Sequence, residues 1–86
     1  MRDIKAQAVI RERLTRIERG LLGDAKGVGG GVFELRIDFG PGYRVYFGQE
    51  GRTVVWLLCS GDKSTQSKDI KTAQTYWADY LRRKQQ

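Results

Sequence analysis

The sequence predicts an α+β fold in which a small antiparallel sheet carries helices packed on it. Three observations point there. Apolar residues recur at helical spacing near both ends of the chain. Two short segments in the middle alternate apolar and polar residues around a Gly-Pro-Gly turn. A third, uniformly apolar segment follows a further glycine turn. Helix, hairpin, third strand and helix, in that order, cannot make the parallel sheet of alternating β and α units.

The first helix begins at Ile4, with Asp3 available as its cap. Ile10, Leu14, Ile17 and Leu21 form its apolar stripe, and Gly20 marks the stop. Glu12, Arg13, Arg16 and Glu18 fall off the stripe, as solvated positions should. The arginines of this helix suit an acidic partner or RNA, and equally suit an ordinary solvated face. Residues 23–31, GDAKGVGGG, read as a flexible connector. A dinucleotide loop needs a strand before it and a helix after it, and here the order is reversed. Lys26 is the one charge in the second half of that loop placed to touch a ligand.

In VFELRID, residues 32–38, Phe33, Leu35 and Ile37 take one face while Glu34, Arg36 and Asp38 take the other. YRVYF repeats the pattern after the turn, with Tyr43, Val45 and Phe47 against Arg44 and Tyr46. These two segments predict an antiparallel hairpin. Gly51 fits a positive-φ turn position. TVVWLLC, residues 53–59, is apolar at both parities, which suits a central strand covered on both sides, with Cys59 buried and inert. The last helix starts near Thr65 or Ser67 and carries the stripe Ile70, Ala73, Trp77 and Leu81. Its end, Arg82-Arg83-Lys84, suits a helix carboxyl terminus.

The 86 residues are one domain, 1–86, with a modest core. Lysine and arginine number 16 against 10 acidic residues, a net charge of +6. That balance favours a polyanionic partner: nucleic acid, an acidic protein or an anionic membrane surface. The sequence contains no histidine and one cysteine, so a zinc site lacks its ligands, and no close acidic group suggests another metal. No cofactor is expected. Residues 1–20 hold no long apolar stretch, so neither a signal peptide nor a membrane span is expected, and the default location is cytoplasmic.

CSGDKSTQ, residues 59–66, lies between an apolar run and a helix, where a phosphate loop would sit. The phosphate-loop pattern requires glycine directly before the lysine and another five residues earlier. Asp62 and Leu57 occupy those places, and a carboxylate there repels phosphate. What survives is a basic face: Arg36, Arg44 and Tyr46 share one parity of the hairpin, and Lys63 leaves a strand of the same sheet. Arginine forks and a lysine grip phosphate oxygens, and a tyrosine stacks on an unpaired base or donates a hydrogen bond. A solvated face of cross-strand ion pairs, such as Arg36 with Glu34 or Asp38, is the alternative.

FELRIDFGPGYRVYF followed by LLCSGDKSTQSKDI resembles the RelE/ParE toxin superfamily, and most closely its HigB-like addiction module killer protein branch. The resemblance runs from about Asp3 to Tyr80, and the paired blocks in that order and spacing are its specific part. It implies a toxin held inactive by a cognate antitoxin, often a helix-turn-helix protein. Many such toxins cleave messenger RNA in the ribosome, leaving a cyclic phosphate without a metal; others poison DNA gyrase. It implies catalytic roles on the scissile phosphate at Arg44 and Lys63. Tyr46 is a candidate for stacking or proton transfer, the latter only with a strongly shifted pKa. It further implies RNA contacts at Arg36, Gln66 and Asp69; Lys26, from the glycine-rich loop alone, is a weaker candidate for the same role. No general base is evident.

Two alternatives stand beside the nuclease. One is a non-enzymatic toxin such as a gyrase inhibitor, using the final helix with Tyr76, Tyr80 and the basic end. The other is a shortened relative that binds antitoxin and harms nothing. Relatives of this kind begin with a strand before the first helix, whereas Met1-Arg2-Asp3-Ile4-Lys5 already reads as helix. A sheet without that strand is expected to expose an edge and to invite a homodimer.

Overall fold

The computed structural model describes residues 4–20, 25–38, 42–61 and 63–84. Helix α1 spans Ile4–Glu18, and strands β1 (Lys26–Gly29), β2 (Val32–Ile37), β3 (Tyr43–Glu50) and β4 (Thr53–Ser60) follow. A 3-10 turn, Lys63–Thr65, leads directly into helix α2, Gln66–Lys84. Each strand pairs antiparallel with its neighbour in sequence, giving one open four-stranded sheet in the order β1-β2-β3-β4. The expected α+β class is what the chain adopts.

The hairpin register follows from the alternation. Leu35 faces Val45 and Ile37 faces Tyr43 across β2 and β3, so the odd-numbered apolar residues share one face. Helix α1 covers that face: Ile10 and Ile17 pack with Leu35, Ile37, Val45 and Phe47, and Leu14 sits against the same cluster. Phe33 stacks on Phe47 with centroids 5.5 Å apart, and Trp56 tilts against Phe47 at 5.3 Å. Helix α2 covers the opposite face, where Ala73 and Trp77 pack with Val32 and Tyr46, flanked by Ile70, Leu57, Leu58 and Leu81. The sheet is thus the middle layer of three. Gly20 has φ of 87° just past α1 and Gly51 has φ of 59° in the turn before β4, as their sequence positions require.

Three expectations are corrected. The glycine-rich loop is not a plain connector. Its second half is an edge strand, β1, whose register to β2 shifts between Gly27 and Gly29. Glycine lowers strand propensity, but Gln74 of α2 donates a 3.2 Å hydrogen bond to the Val28 carbonyl and holds the segment in place. The apolar third strand is not central: β4 is the other edge of the sheet. It is nevertheless covered on both faces, with Val54 and Trp56 on the α1 side and Val55 on the α2 side, and a bulge adds to the apolar run. Tyr46 faces Leu58 and Phe47 faces Trp56, so Leu57 is the extra residue, and Leu57 and Leu58 both turn toward α2. Cys59, finally, is exposed rather than buried, though its neighbours crowd the thiol enough to push its pKa upward. Asp3 as a cap, Leu21 of the first stripe, Phe39, the Gly40-Pro41 part of the turn and Asp62 lie outside the described residues.

Candidate functional site

The face under α2 carries two cross-strand rows. Lys26, Glu34, Tyr46 and Leu58 stand opposite one another in turn across the four strands. Arg36, Arg44 and Ser60 form the next row. The arginines of the sequence motif therefore meet side by side, beside the carboxylate of Glu34. Glu34 Oε1 lies 3.7 Å from Arg44 Nε and 3.9 Å from Arg36 Nε. Glu34 Oε2 accepts a 2.9 Å hydrogen bond from the side-chain amide of Gln66, the first residue of α2.

Burial divides the cluster. Tyr46 is 0% exposed, Glu34 1% and Arg44 7%, whereas the Arg36 side chain is 62% exposed. A carboxylate and a guanidinium are costly to bury unless paired, and here each offsets the other. The pairing is incomplete: among the described residues, Glu34 Oε1, Arg44 Nε and the Tyr46 hydroxyl are buried without a hydrogen bond of normal geometry. Each such atom costs about 1–3 kcal/mol. Three of them on adjoining residues mark a site whose geometry is held by the surrounding packing rather than by its own bonds.

Tyr46 shows the electrical consequence. Its pKa is pushed up to about 12, first by burial and then by the nearby Glu34 and Asp69 carboxylates, with Arg44 opposing. The shift runs away from neutrality, so the phenol stays protonated at pH 7. It is no proton acceptor there, and a fully covered ring offers no surface for a base to stack on.

The first turn of α2 closes the site. Thr65, in the capping position before Gln66, donates a 2.7 Å hydrogen bond to Asp69 Oδ2, and its hydroxyl lies 3.5 Å from that of Ser60 at the end of β4. Gln66 and Asp69, two of the sequence candidates, thus reach the cluster through different partners. Lys63 opens the 3-10 turn of this same corner, and its side chain lies outside the described residues. Lys26 is exposed in β1 at the far end of Glu34's row, closer in register than a loop residue would be. Among the described residues no group of three His, Cys, Asp or Glu is placed to hold a metal.

Sequence reasoning named both arginines, the tyrosine and Gln66 but missed Glu34 as their hub. The signal was present, since Glu34 has the same parity as Arg36. What was lacking was knowledge that α2 would cover that parity. The outer face of α2 adds an open groove of about 400 Å³ lined by Ser67, Lys68, Lys71, Thr72 and Thr75. Thr72 and Thr75 donate back to the Lys68 and Lys71 carbonyls, so it is a solvated helix face with two lysines.

No family model matches the chain, and no solved structure matches it. A protein of Haemophilus influenzae described as an uncharacterized protein is 51% identical over 74 residues, which span 86% of this chain and 75% of the relative. The chain belongs to the same family as that protein. With 74 of the 86 residues inside the match, the segment from Lys26 to Asp69 lies within it wherever it starts. The whole cluster therefore falls in the stretch that aligns with the Haemophilus relative.

Proposed function

We propose that the chain is the toxin of a type II toxin–antitoxin module of the RelE/ParE kind, acting in the cytoplasm as a ribosome-dependent messenger RNA endoribonuclease. The observation that carries this reading is the meeting of Arg36 and Arg44 on Glu34 beneath the first turn of α2. Arg44 and Lys63, at the same corner, are the positions where the motif resemblance puts the scissile phosphate, and Arg36 lies in the strand that adds basic residues there. The net charge of +6 supports a polyanionic substrate.

The chemistry needs little from the protein. The RNA 2′-hydroxyl attacks the adjacent phosphorus, its proton leaves, and the 5′-oxygen departs with a proton as a 2′,3′-cyclic phosphate forms. Arg44 and Lys63 offset charge growing on the phosphorane. Arg36, exposed at the rim, positions the backbone of the strand. Glu34 orients both guanidinium groups, and Gln66 fixes Glu34. Tyr46 packs and stays neutral. A helix-turn-helix antitoxin would hold the toxin inactive.

The test is mapping of RNA 5′ ends in cells expressing the chain, beside Lys63→Ala and Arg36→Ala variants of confirmed fold. New ends inside translated frames, lost in Lys63→Ala and reduced in Arg36→Ala, are expected. Growth arrest without such ends would overturn the nuclease reading.

One observation favours a second reading. Tyr46 is fully covered and Arg44 nearly so beneath α2, so the nuclease reading requires the first turn of α2 to lift before a phosphate meets Arg44. A toxin that only binds, as a gyrase poison does, or a relative that only engages its antitoxin, needs no access there. DNA damage with intact RNA identifies the former, and normal growth with folded protein the latter.

A further inference from the structure

The two edges of the sheet are unlike. β1 is only four residues long, Lys26-Gly27-Val28-Gly29, and it is irregular in register. Short, charged and bulged edges resist pairing with other chains. β4 has none of that protection along most of its length. It runs for eight residues, TVVWLLCS, without a charge or a proline. Val54, Val55, Trp56, Leu57 and Leu58 are all only partly buried, although each packs against a hydrophobic cluster of the sheet. Val54 and Trp56 belong to the α1 side, while Val55, Leu57 and Leu58 belong to the α2 side. Both apolar layers therefore run out to this edge and stop there.

We propose that β4 is a dimerisation edge, at which a second copy of the chain pairs its own β4 antiparallel to the first. The result is a continuous eight-stranded sheet about a twofold axis. A second copy fits for two reasons. The strand is neutral, so self-pairing opposes no like charges despite the net charge of +6 on each chain. The area is also adequate. A strand of eight residues is about 26 Å long at about 3.3 Å per residue. A sheet with a helix layer on each face is roughly 20 Å thick, from about 10 Å between packed layers. The product is about 500 Å² per copy, or about 1,000 Å² in all, the threshold that specific interfaces clear. The proposal does not depend on the nuclease reading.

Antiparallel self-pairing brings the Thr53 end of one strand beside the Cys59 end of the other. Both residues are exposed, so the monomer tolerates charge there. The experiment is sedimentation equilibrium of the full chain under reducing conditions, for the native sequence, T53K/C59K and T53E/C59E, with circular dichroism confirming each fold. The native chain is expected to dimerise. Each charged variant alone is expected to dissociate at least about tenfold more readily, since like charges directly opposite destabilise a strand pair. An equimolar mixture of the two variants is expected to recover the dimer. A native chain that stays monomeric at 100 micromolar, a lysine variant that dimerises unchanged, or a mixture no tighter than its components would each overturn the proposal.

Discussion

Gln66 donates a 2.9 Å hydrogen bond to Oε2 of Glu34, joining the first residue of α2 to the middle of β2 across 32 positions of sequence. This bond is the nearest thing the polar cluster has to a fastening. A hydrogen bond to a charged group contributes about 1.5–3 kcal/mol, so Gln66→Ala is expected to lower stability by that order. Urea denaturation measures the loss. Hydrogen exchange should accelerate first in residues 66–70, because the contact holds that turn rather than the whole helix. Uniform acceleration throughout α2 would contradict the local role.

Glu34 and Arg44 should behave as a pair. Glu34→Ala leaves a buried guanidinium uncompensated and is expected to cost about 3–5 kcal/mol. Arg44→Met alone strands the carboxylate and is expected to cost a similar amount. Glu34→Leu combined with Arg44→Met removes both charges and should be more stable than either single change. A double-mutant cycle reads the coupling, and additive losses would show that the charges act independently.

Tyr46 gives a pH signature. Its phenol is pushed up to about 12 in the fold, against about 10 in an unfolded chain. Between those values the folded state holds the proton that the unfolded state has lost. Stability should therefore fall as pH rises from about 10 toward 12, and this group adds no slope below that window. Comparison with Tyr46→Phe isolates the effect from the lysines. That variant also removes a buried hydroxyl that makes no hydrogen bond of normal geometry among the described residues, and it is expected to be neutral or stabilising at pH 7. Activity retained in Tyr46→Phe would agree with a packing role, whereas loss of activity with intact fold would restore a chemical one.

Gly48 is where Trp77 lies directly on the backbone of β3. A Cβ there would stand 2.3 Å from Trp77 Cε3, with two more ring atoms at 2.5 Å. Gly48→Ala is expected to cost at least about 1–3 kcal/mol through overpacking. Part of the loss should return in Gly48→Ala with Trp77→Leu. Thermal unfolding of the two variants decides this, and a neutral Gly48→Ala would mean that α2 shifts freely over the sheet.

Much of the architecture was legible because it rests on period alone. The stripe Ile10, Leu14 and Ile17 has a helix period, and the parity of Arg36, Arg44 and Tyr46 follows from strand alternation. Strand β1 was not legible, since Lys-Gly-Val-Gly has no alternation and its support comes from Gln74, 46 residues beyond Val28. The place of β4 was misjudged for a related reason. Its residues do pack on both faces, with a bulge at Leu57 placing two consecutive leucines on one of them, but two covered faces do not tell an edge strand from a central one. Within the candidate site, the company of Arg44 and Tyr46 was readable but their concealment was not. Concealment depends on where α2 docks, and its stripe tells which residues face the sheet without telling which strands they cover.

The position of α2 after all four strands has a consequence for how the protein is made. Each strand pairs with its sequence neighbour, so the sheet can assemble while synthesis is still under way. The helix that covers Glu34, Arg44 and Tyr46 is translated after the whole sheet. Until it is released, those three residues stand in water on an uncovered sheet, and Trp77 has not yet reached Gly48. The buried polar cluster therefore forms only once α2 has been made, and a nascent chain stalled before α2 would present the two arginines openly to whatever anion lay nearby.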